Sequence, residues 1–298
     1  MGYAFRRFRE WSARSVKARR TTPGSLIRRH HVGRVITSVV ISMGTSLMGV
    51  AAFNGVAGAA GSCQSVSTSK GNLTALFVNP TSTVSGSVTG SASTCDVGVY
   101  VGPGNSATIS GAAISGFKMY GIFNDGGTVS VTGSAISTIG DSPMSGDQYG
   151  VGVYFVNPQL NASTGPDSPA SGVISGNTIT AYQKGGITVN GQGSSATVTD
   201  NVVSGVGQVP YIAQNGIQLG FGASGQVSGN TIDGNWYSGA DWTSTGLLLF
   251  DVAANHVRTF DNHLMNNQTE FALVEDNSCG SLYGGLYANW GLCTVPVR

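Results

Sequence analysis

Three short stretches of the chain concentrate residues that can do chemistry. The first carries Asp141, Asp147, Gln148 and Tyr149, and the second carries Gln208, Tyr211 and Gln214. The third carries Asp233, Asn235, Trp236, Tyr237, Asp241 and Trp242. Trp236 and Trp242 are two of four tryptophans in the chain, the others being Trp11 and Trp290. Aromatic faces beside carboxylates and amides suit a sugar, whose CH faces stack on the rings while its hydroxyls form hydrogen bonds. The candidate binding residues are therefore Asp141, Asp147, Tyr149, Tyr211, Gln214, Trp236, Tyr237 and Trp242. The competing reading is that these aromatics cap their own segments against an underlying surface. If bonds are broken here, Asp233 and Asp241 are the best catalytic pair, followed by Asp141 or Asp147. Glycoside hydrolysis needs two carboxyl groups roughly 5–10 Å apart, one of them protonated.

A repeated unit must hold these stretches. An aliphatic residue, a small polar pair often containing Asn, and a second aliphatic recur along the chain. The copies are Ile109–Ile114, Val131–Ile136, Ile174–Ile179, Val198–Val203, Val227–Ile232 and a degenerate Thr259–Leu264, with Val84–Val88 an earlier one. After each copy comes a strand-like run, usually opened by glycine, such as Gly150-Val-Gly-Val-Tyr-Phe155 or Gly246-Leu-Leu-Leu-Phe250. Short alternating apolar runs are strands with one buried face. Two such strands plus turns, repeating every 22 to 32 residues, make one coil of a solenoid. One coil cannot bury its apolar face alone, so neighbours must stack, and parallel connections of this kind are right-handed. The interval of 43 from Val131 to Ile174 holds one coil with an excursion, Asn157 to Ala170, rich in Pro, Ser and Asn.

This repeat resembles the parallel β-helix repeat family of the pectate-lyase-like superfold over roughly residues 84 to 276. Its most specific element is Gly-Asn-Thr-Ile, at 176–179 and 229–232. The resemblance implies an all-β, right-handed parallel β-helix of about seven coils. It does not name a function, because one fold hosts many sites. Lyases of this fold usually use a basic residue to abstract a proton, and the three stretches contain no Lys or Arg. If the protein is an enzyme, a glycoside hydrolase is therefore favoured over a lyase. The arginine-centred signatures of pectate lyases are absent, as is the Asn-Thr-Asp, Asp-Asp and Gly-His-Gly set of polygalacturonases.

On that frame, Asn177, Asn201, Asn230 and Asn262 share one repeat position, which reads as a structural ladder at a coil corner. From that position to the next glycine-opened strand, three coils are compact: Ala112 to Gly121, Asn177 to Gly186 and Asn262 to Phe271. Three others are six or seven residues longer: Ser134 to Gly150, Asn201 to Gly216 and Asn230 to Gly246. These longer spans contain the three chemical stretches, so stacking aligns them on one side of the solenoid.

Charge and cysteine set the setting. Charged residues are only 10% of the 298, and 45 residues are glycine, which excludes a coiled coil or helical bundle. Ten of fifteen basic residues precede position 35; beyond Ala60, five basic residues against thirteen acidic ones leave a charge of −8. An acidic body argues against nucleic acid as a partner. The basic start, the uncharged stretch 35–53 and Ala57-Gly58-Ala59 read as a secretory signal, giving a leader at 1–60. The alternative is an uncleaved anchor, the one route to a membrane contact. Segments 61–83, 84–277 and 278–298 are expected as N-terminal cap, β-helix and C-terminal cap. Four cysteines in an exported chain suggest two disulfides, with three possible pairings. In an elongated fold the ends lie too far apart to bridge, leaving Cys63–Cys95 and Cys279–Cys293. No metal or cofactor is expected: His256 and His263 lack partners at ligand spacing, and no dense Asp-x-Asp loop supports calcium. The expected role is a secreted or cell-surface protein that binds or processes a polysaccharide or surface glycan. The alternative is a non-catalytic structural or adhesion protein.

Overall fold

A computed structural model describes residues 62–90, 95–162, 165–240, 242–252 and 256–274. The chain winds as a right-handed parallel β-helix. Each turn crosses a first sheet and then a second one, which is bent into two arms. The first sheet has nine strands. Eight of them are parallel rungs: Gly71–Val78, Val97–Val101, Tyr120–Asp125, Val151–Val156, Gly185–Asn190, Asn215–Gly220, Thr245–Phe250 and Thr269–Val274. The ninth, Gln64–Thr68, pairs antiparallel with the first rung and covers its edge. The second sheet has twelve strands. Its arms are joined by the twelve-residue strand Ser106–Phe117, which runs through the corner between them. Seven coils are complete within the described residues, and Thr269–Val274 opens an eighth.

The fold follows from in-register stacking of like residues. On the first sheet Ile122, Val153, Ile187, Ile217, Leu247 and Phe271 lie in one column. Ile109, Val131, Ile174, Val198 and Val227 form a second column on one arm. On the other arm Ile114, Ile136, Ile179, Val203 and Ile232 form a third. All but Phe271 are buried in a single continuous core, and Phe271 packs against it. Completely burying one such side chain contributes about 1.5–3 kcal/mol, so the columns are the main cohesive term.

Two sequence expectations are refined here. The recurrent motif is not one strand: its two aliphatics belong to different arms, and a coil has three strands instead of two. Ile174 ends Ser171–Ser175, and Ile179 lies in Thr178–Tyr182. The residue before each ladder position takes a left-handed backbone at the bend: Gly133, Gly176, Asp200, Gly229 and Asp261 all have φ between 54° and 66°. Glycine reaches that region freely and Asp tolerates it, which is why the motif reads Gly-Asn or Asp-Asn. The solenoid also begins earlier than Val84, since Gly71–Val78 is already a parallel rung.

At this bend the asparagines form a continuous ladder. Asn177 donates from its backbone N (3.0 Å) and Nδ2 (2.9 Å) to Asn201 Oδ1. Asn201 does the same to Asn230, and Asn230 to Asn262. Each Nδ2 also donates to a carbonyl oxygen in the preceding coil, for example Asn201 to Ile174 O at 2.9 Å. Ser134 continues the ladder towards the N-terminus, its N donating to Asn177 Oδ1 and its Oγ accepting from Ala112 N. A second, shorter ladder joins Asn235 to Asn267 through Oδ1 of the latter.

The outer face of the first sheet is also covered. Tyr100, Phe123 and Tyr154 occupy successive rungs, and Tyr120 packs among them. Phe123 and Tyr154 are stacked at 5.5 Å, and Lys70 Nζ lies 5.8 Å from the Tyr154 ring. The excursion between Val156 and Ser171 begins with a short 3-10 turn, Pro158–Leu160, whose Leu160 packs on this cluster. Asn161 donates to Ser69 Oγ, and Ser69 in turn donates to the buried Asp125 carboxylate. Cys63 and Cys95 are disulfide-bonded with Cα atoms 5.6 Å apart, tying the antiparallel strand to the helix start. Cys279, Cys293, the leader and the segment 278–298 lie outside the described residues.

Candidate functional site

The corner opposite the asparagine ladder carries the chain from the second sheet back to the first. Here the compact connection at Gln183–Lys184 sits among three longer ones. The first, residues 140–150, is a true loop. The other two are partly strand: Val202–Val209 runs on past its compact equivalents, as does Thr231–Tyr237. Gln208 pairs with Trp236 and Val209 with Tyr237, after a register shift between Ser204 and Gly207. This corrects the expectation of three loops. Asp233, Asn235, Trp236 and Tyr237 are strand residues, and among the described residues of these two connections only 210–214, 238–240 and 242–244 leave the sheet.

Three glutamines fasten these segments, Gln183 and Gln214 buried and Gln268 half-buried. Gln183 Oε1 accepts from the backbone N of Asp141 and Ser145, both at 3.0 Å, and its Nε2 donates to Asp147 O. Gln214 Oε1 accepts from Val206 N while Nε2 donates to Tyr182 O at 2.6 Å. Gln268 Oε1 accepts from Tyr237 N and Ser244 N. Gln214, expected as a binding residue, is fully buried. It supports the corner from within and cannot touch a ligand.

The acids of the first loop are likewise engaged by the loop itself. Tyr149 OH donates to both oxygens of Asp141 and to Asp147 Oδ2. Ser145 Oγ donates to Asp141, and Lys118 Nζ lies 4.0 Å from it. Partial burial works to raise the Asp141 carboxyl, but hydrogen bonds involving Ser145, Tyr149 and Gln183, with the Lys118 ammonium, outweigh it. The carboxyl is held below the usual carboxylate range. Burial and the two carboxylates push the Tyr149 phenol well above its ordinary value. Asp141 is thus a stable anion, unsuited to donate a proton. Asp233 lies in its strand between Ile232 and Gly234, and its Oδ1 is enclosed without a hydrogen-bond partner. Asp241 lies outside the described residues.

What the corner does assemble is a cleft of about 150 Å³. Gly146 and Gln148 line it from the first loop, and Tyr211, Ile212 and Ala213 from the second connection. Tyr237 and Trp242 line it from the third, and Lys184 from the compact turn between them. The first two connections approach closely: a Cβ on Gly146 would stand 2.9 Å from Tyr211 O, so only glycine fits. Trp236 is 40% exposed and does not line the cleft. Of the expected binding residues, the structure gathers Tyr211, Tyr237 and Trp242 here; Asp141, Asp147 and Tyr149 bond to one another within the first loop and do not line the cleft.

Lys184 was missed by the sequence reading. Its Nζ donates to Ala213 O at 2.7 Å. Burial lowers its ammonium to about 8. The three long segments contain no Lys or Arg, as read from the sequence, and the compact turn between them supplies the basic residue of this face. A detectable signal existed, since Lys184 is one of five basic residues beyond Ala60 and sits at the same corner position. Among the described residues no group of three or more His, Cys, Asp or Glu is placed to hold a metal. No helix of the described residues is long and apolar enough to cross a membrane.

These features define a right-handed parallel β-helix repeat protein with a lateral cleft. The family model described as "Right handed beta helix region" matches residues 166–283. Among solved structures, the crystal structure of Dettilon tailspike protein (gp208) is similar at 15% identity, with a TM-score of 0.28. That likeness covers 60% of this chain and 46% of the tailspike, so the chain spans less than half its length. No curated protein matches the chain.

Proposed function

We propose that this is an exported glycan-binding β-helix protein whose binding surface is the lateral cleft. The observation that carries the reading is the convergence of Tyr211, Tyr237 and Trp242 around one concavity, with Gln148 and Lys184 as polar groups. Aromatic walls with a few polar groups are the usual make-up of a sugar site. Binding is preferred to hydrolysis because Asp141 and Asp147 are both occupied by Tyr149, and neither lines the cleft. Export is supported by the Cys63–Cys95 disulfide, since such bonds persist in oxidising compartments.

The test is a panel of soluble polysaccharides titrated against the protein, read by tryptophan fluorescence. Trp242→Ala should weaken binding about tenfold, equal to about 1.4 kcal/mol of lost stacking. Trp236→Ala should leave the affinity unchanged, because that ring stands outside the cleft. Failure of every polysaccharide to bind the folded protein would remove this reading and favour a structural role.

A further inference from the structure

Among the described residues that line the cleft, Lys184 is the one charged group. Lys184 Nζ spends one of its three donors on Ala213 O, and no other partner is found among the described residues. Its neighbours are the tyrosines Tyr211 and Tyr237, Trp242, Ile212 and the Gln148 amide. Among the described residues, the carboxylates of this corner, Asp141, Asp147 and Asp233, do not line the cleft. Tyr149 holds Asp147 and Asp141, and Asp141 is also the partner of Lys118. Asp241, beside Trp242, is outside the described residues. With two donors left after Ala213 O and no carboxylate among the described residues lining the cleft, this ammonium lacks an anion there.

We infer that the cleft selects an acidic sugar, one whose ring bears a carboxylate or a sulfate, and that Lys184 is the residue that recognises it. This rests on the proposed glycan-binding role and adds the ligand's charge class to it. The stacking rings supply affinity for any pyranose, whereas the ammonium discriminates: a charge-assisted hydrogen bond inside a partly dehydrated cleft distinguishes an anion from a hydroxyl. Burial alone lowers Lys184 to about 8, with no charged neighbour contributing. An anionic ligand restores the missing partner and draws a proton onto the amine, so binding and protonation are linked. Tyr211, also raised by burial, stays neutral throughout this range.

The experiment compares three probes by calorimetry at fixed ionic strength: an oligogalacturonate, its carboxyl-reduced neutral counterpart, and a sulfated galactan oligosaccharide. At pH 7 at least one acidic probe should bind about tenfold more tightly than the neutral one. Lys184→Met, which retains the apolar stem, should abolish that preference while neutral-sugar binding persists. In the unmutated protein, affinity for the acidic probe should fall about tenfold between pH 7 and pH 9, as the protonated fraction declines. Proton uptake should accompany binding near pH 8, and the neutral probe should show neither effect. Equal binding of the acidic and neutral probes overturns the inference but leaves the glycan-binding role standing. So does an acidic preference that survives in Lys184→Met. If no probe and no neutral glycan binds, both fall together. The pH profile needs no variant, so it decides the matter even if Lys184→Met folds poorly.

Discussion

The two corners of this solenoid use the same side chain chemistry to opposite ends. At the bend between the two arms, asparagine amides bond rung to rung, with Asn177, Asn201 and Asn230 buried and Asn262 half-buried at the end of the stack. At the corner that returns to the first sheet, glutamine amides also reach the adjacent coil, but their partners are the backbone groups of the lengthened connections instead of an equivalent side chain. One methylene of extra reach separates the two cases. The short amide meets its equivalent in the adjacent coil and makes a spine; the longer one spans to a loop and makes a platform. A buried amide therefore reveals structural duty at either corner, and function must be sought in what the glutamines hold up.

The comparison can be broken by substitution, and Asn201→Ala should do most. It removes the acceptor for two donors of Asn177, leaves Ile174 O without its Nδ2 donor, and leaves Asn230 Oδ1 with the backbone N of residue 201 alone. At about 1–3 kcal/mol for each buried polar group left unsatisfied, a loss of at least 3 kcal/mol is expected in urea unfolding. Gln183→Ala should come next, at about 2 kcal/mol, because three backbone groups of the first loop lose their partner. Unlike the asparagine change, it should also weaken glycan binding, since Gly146 and Gln148 lose their footing. An Asn201 variant that weakened binding at temperatures where it remains folded would undo the division of labour between corners.

Lys184→Met should act in the other direction. In the unfolded chain a lysine titrates near its ordinary value of about 10.4. In the folded protein Lys184 is lowered to about 8, so between those values the unfolded state holds more protons. Its burden on stability is therefore full below about 8 and disappears as pH rises towards about 10.4. The methionine variant should melt higher at pH 7, with the gap to the parent closing over that window. Asp147→Asn should be the smallest change. That carboxylate is exposed, and Tyr149 retains Asp141, so the melting temperature should not move.

The fold was legible because it is written in repetition. Aliphatic columns such as Ile109 to Val227 and the left-handed Gly or Asp before each ladder Asn leave a mark every coil. The site was legible only in part. Extra length at one corner is visible as spacing, and it led to Tyr211, Tyr237 and Trp242. Direction is not visible in the same way. Nothing in residue type separates the enclosed Gln214 from the cleft-lining Gln148, and strand extension carried Trp236 away from the loops. Lys184 escaped because it belongs to a coil of minimal length, where nothing interrupts the pattern. The covered outer face of the first sheet was also missed. Its trace is the near-continuous apolar run Val151-Gly-Val-Tyr-Phe-Val156, the mark of a strand buried on both sides.

The asparagine ladder has a direction. From Ser134 to Asn230 each backbone N donates to the side-chain oxygen of the next coil's asparagine, so this series of bonds runs one way along the axis, while each Asn Nδ2 also reaches back to a carbonyl of the preceding coil. Such a series is modular in the manner of a threaded rod. Excising one whole turn leaves a donor facing an acceptor across the cut, and inserting one does the same. Removing a single residue from a strand rotates its side chains to the wrong face and parts the ladder as well. Variation in the length of this molecule is thereby quantised in whole coils. Continuous variation is left to the other two corners, one carrying the excursion between Val156 and Ser171 and the other building the cleft.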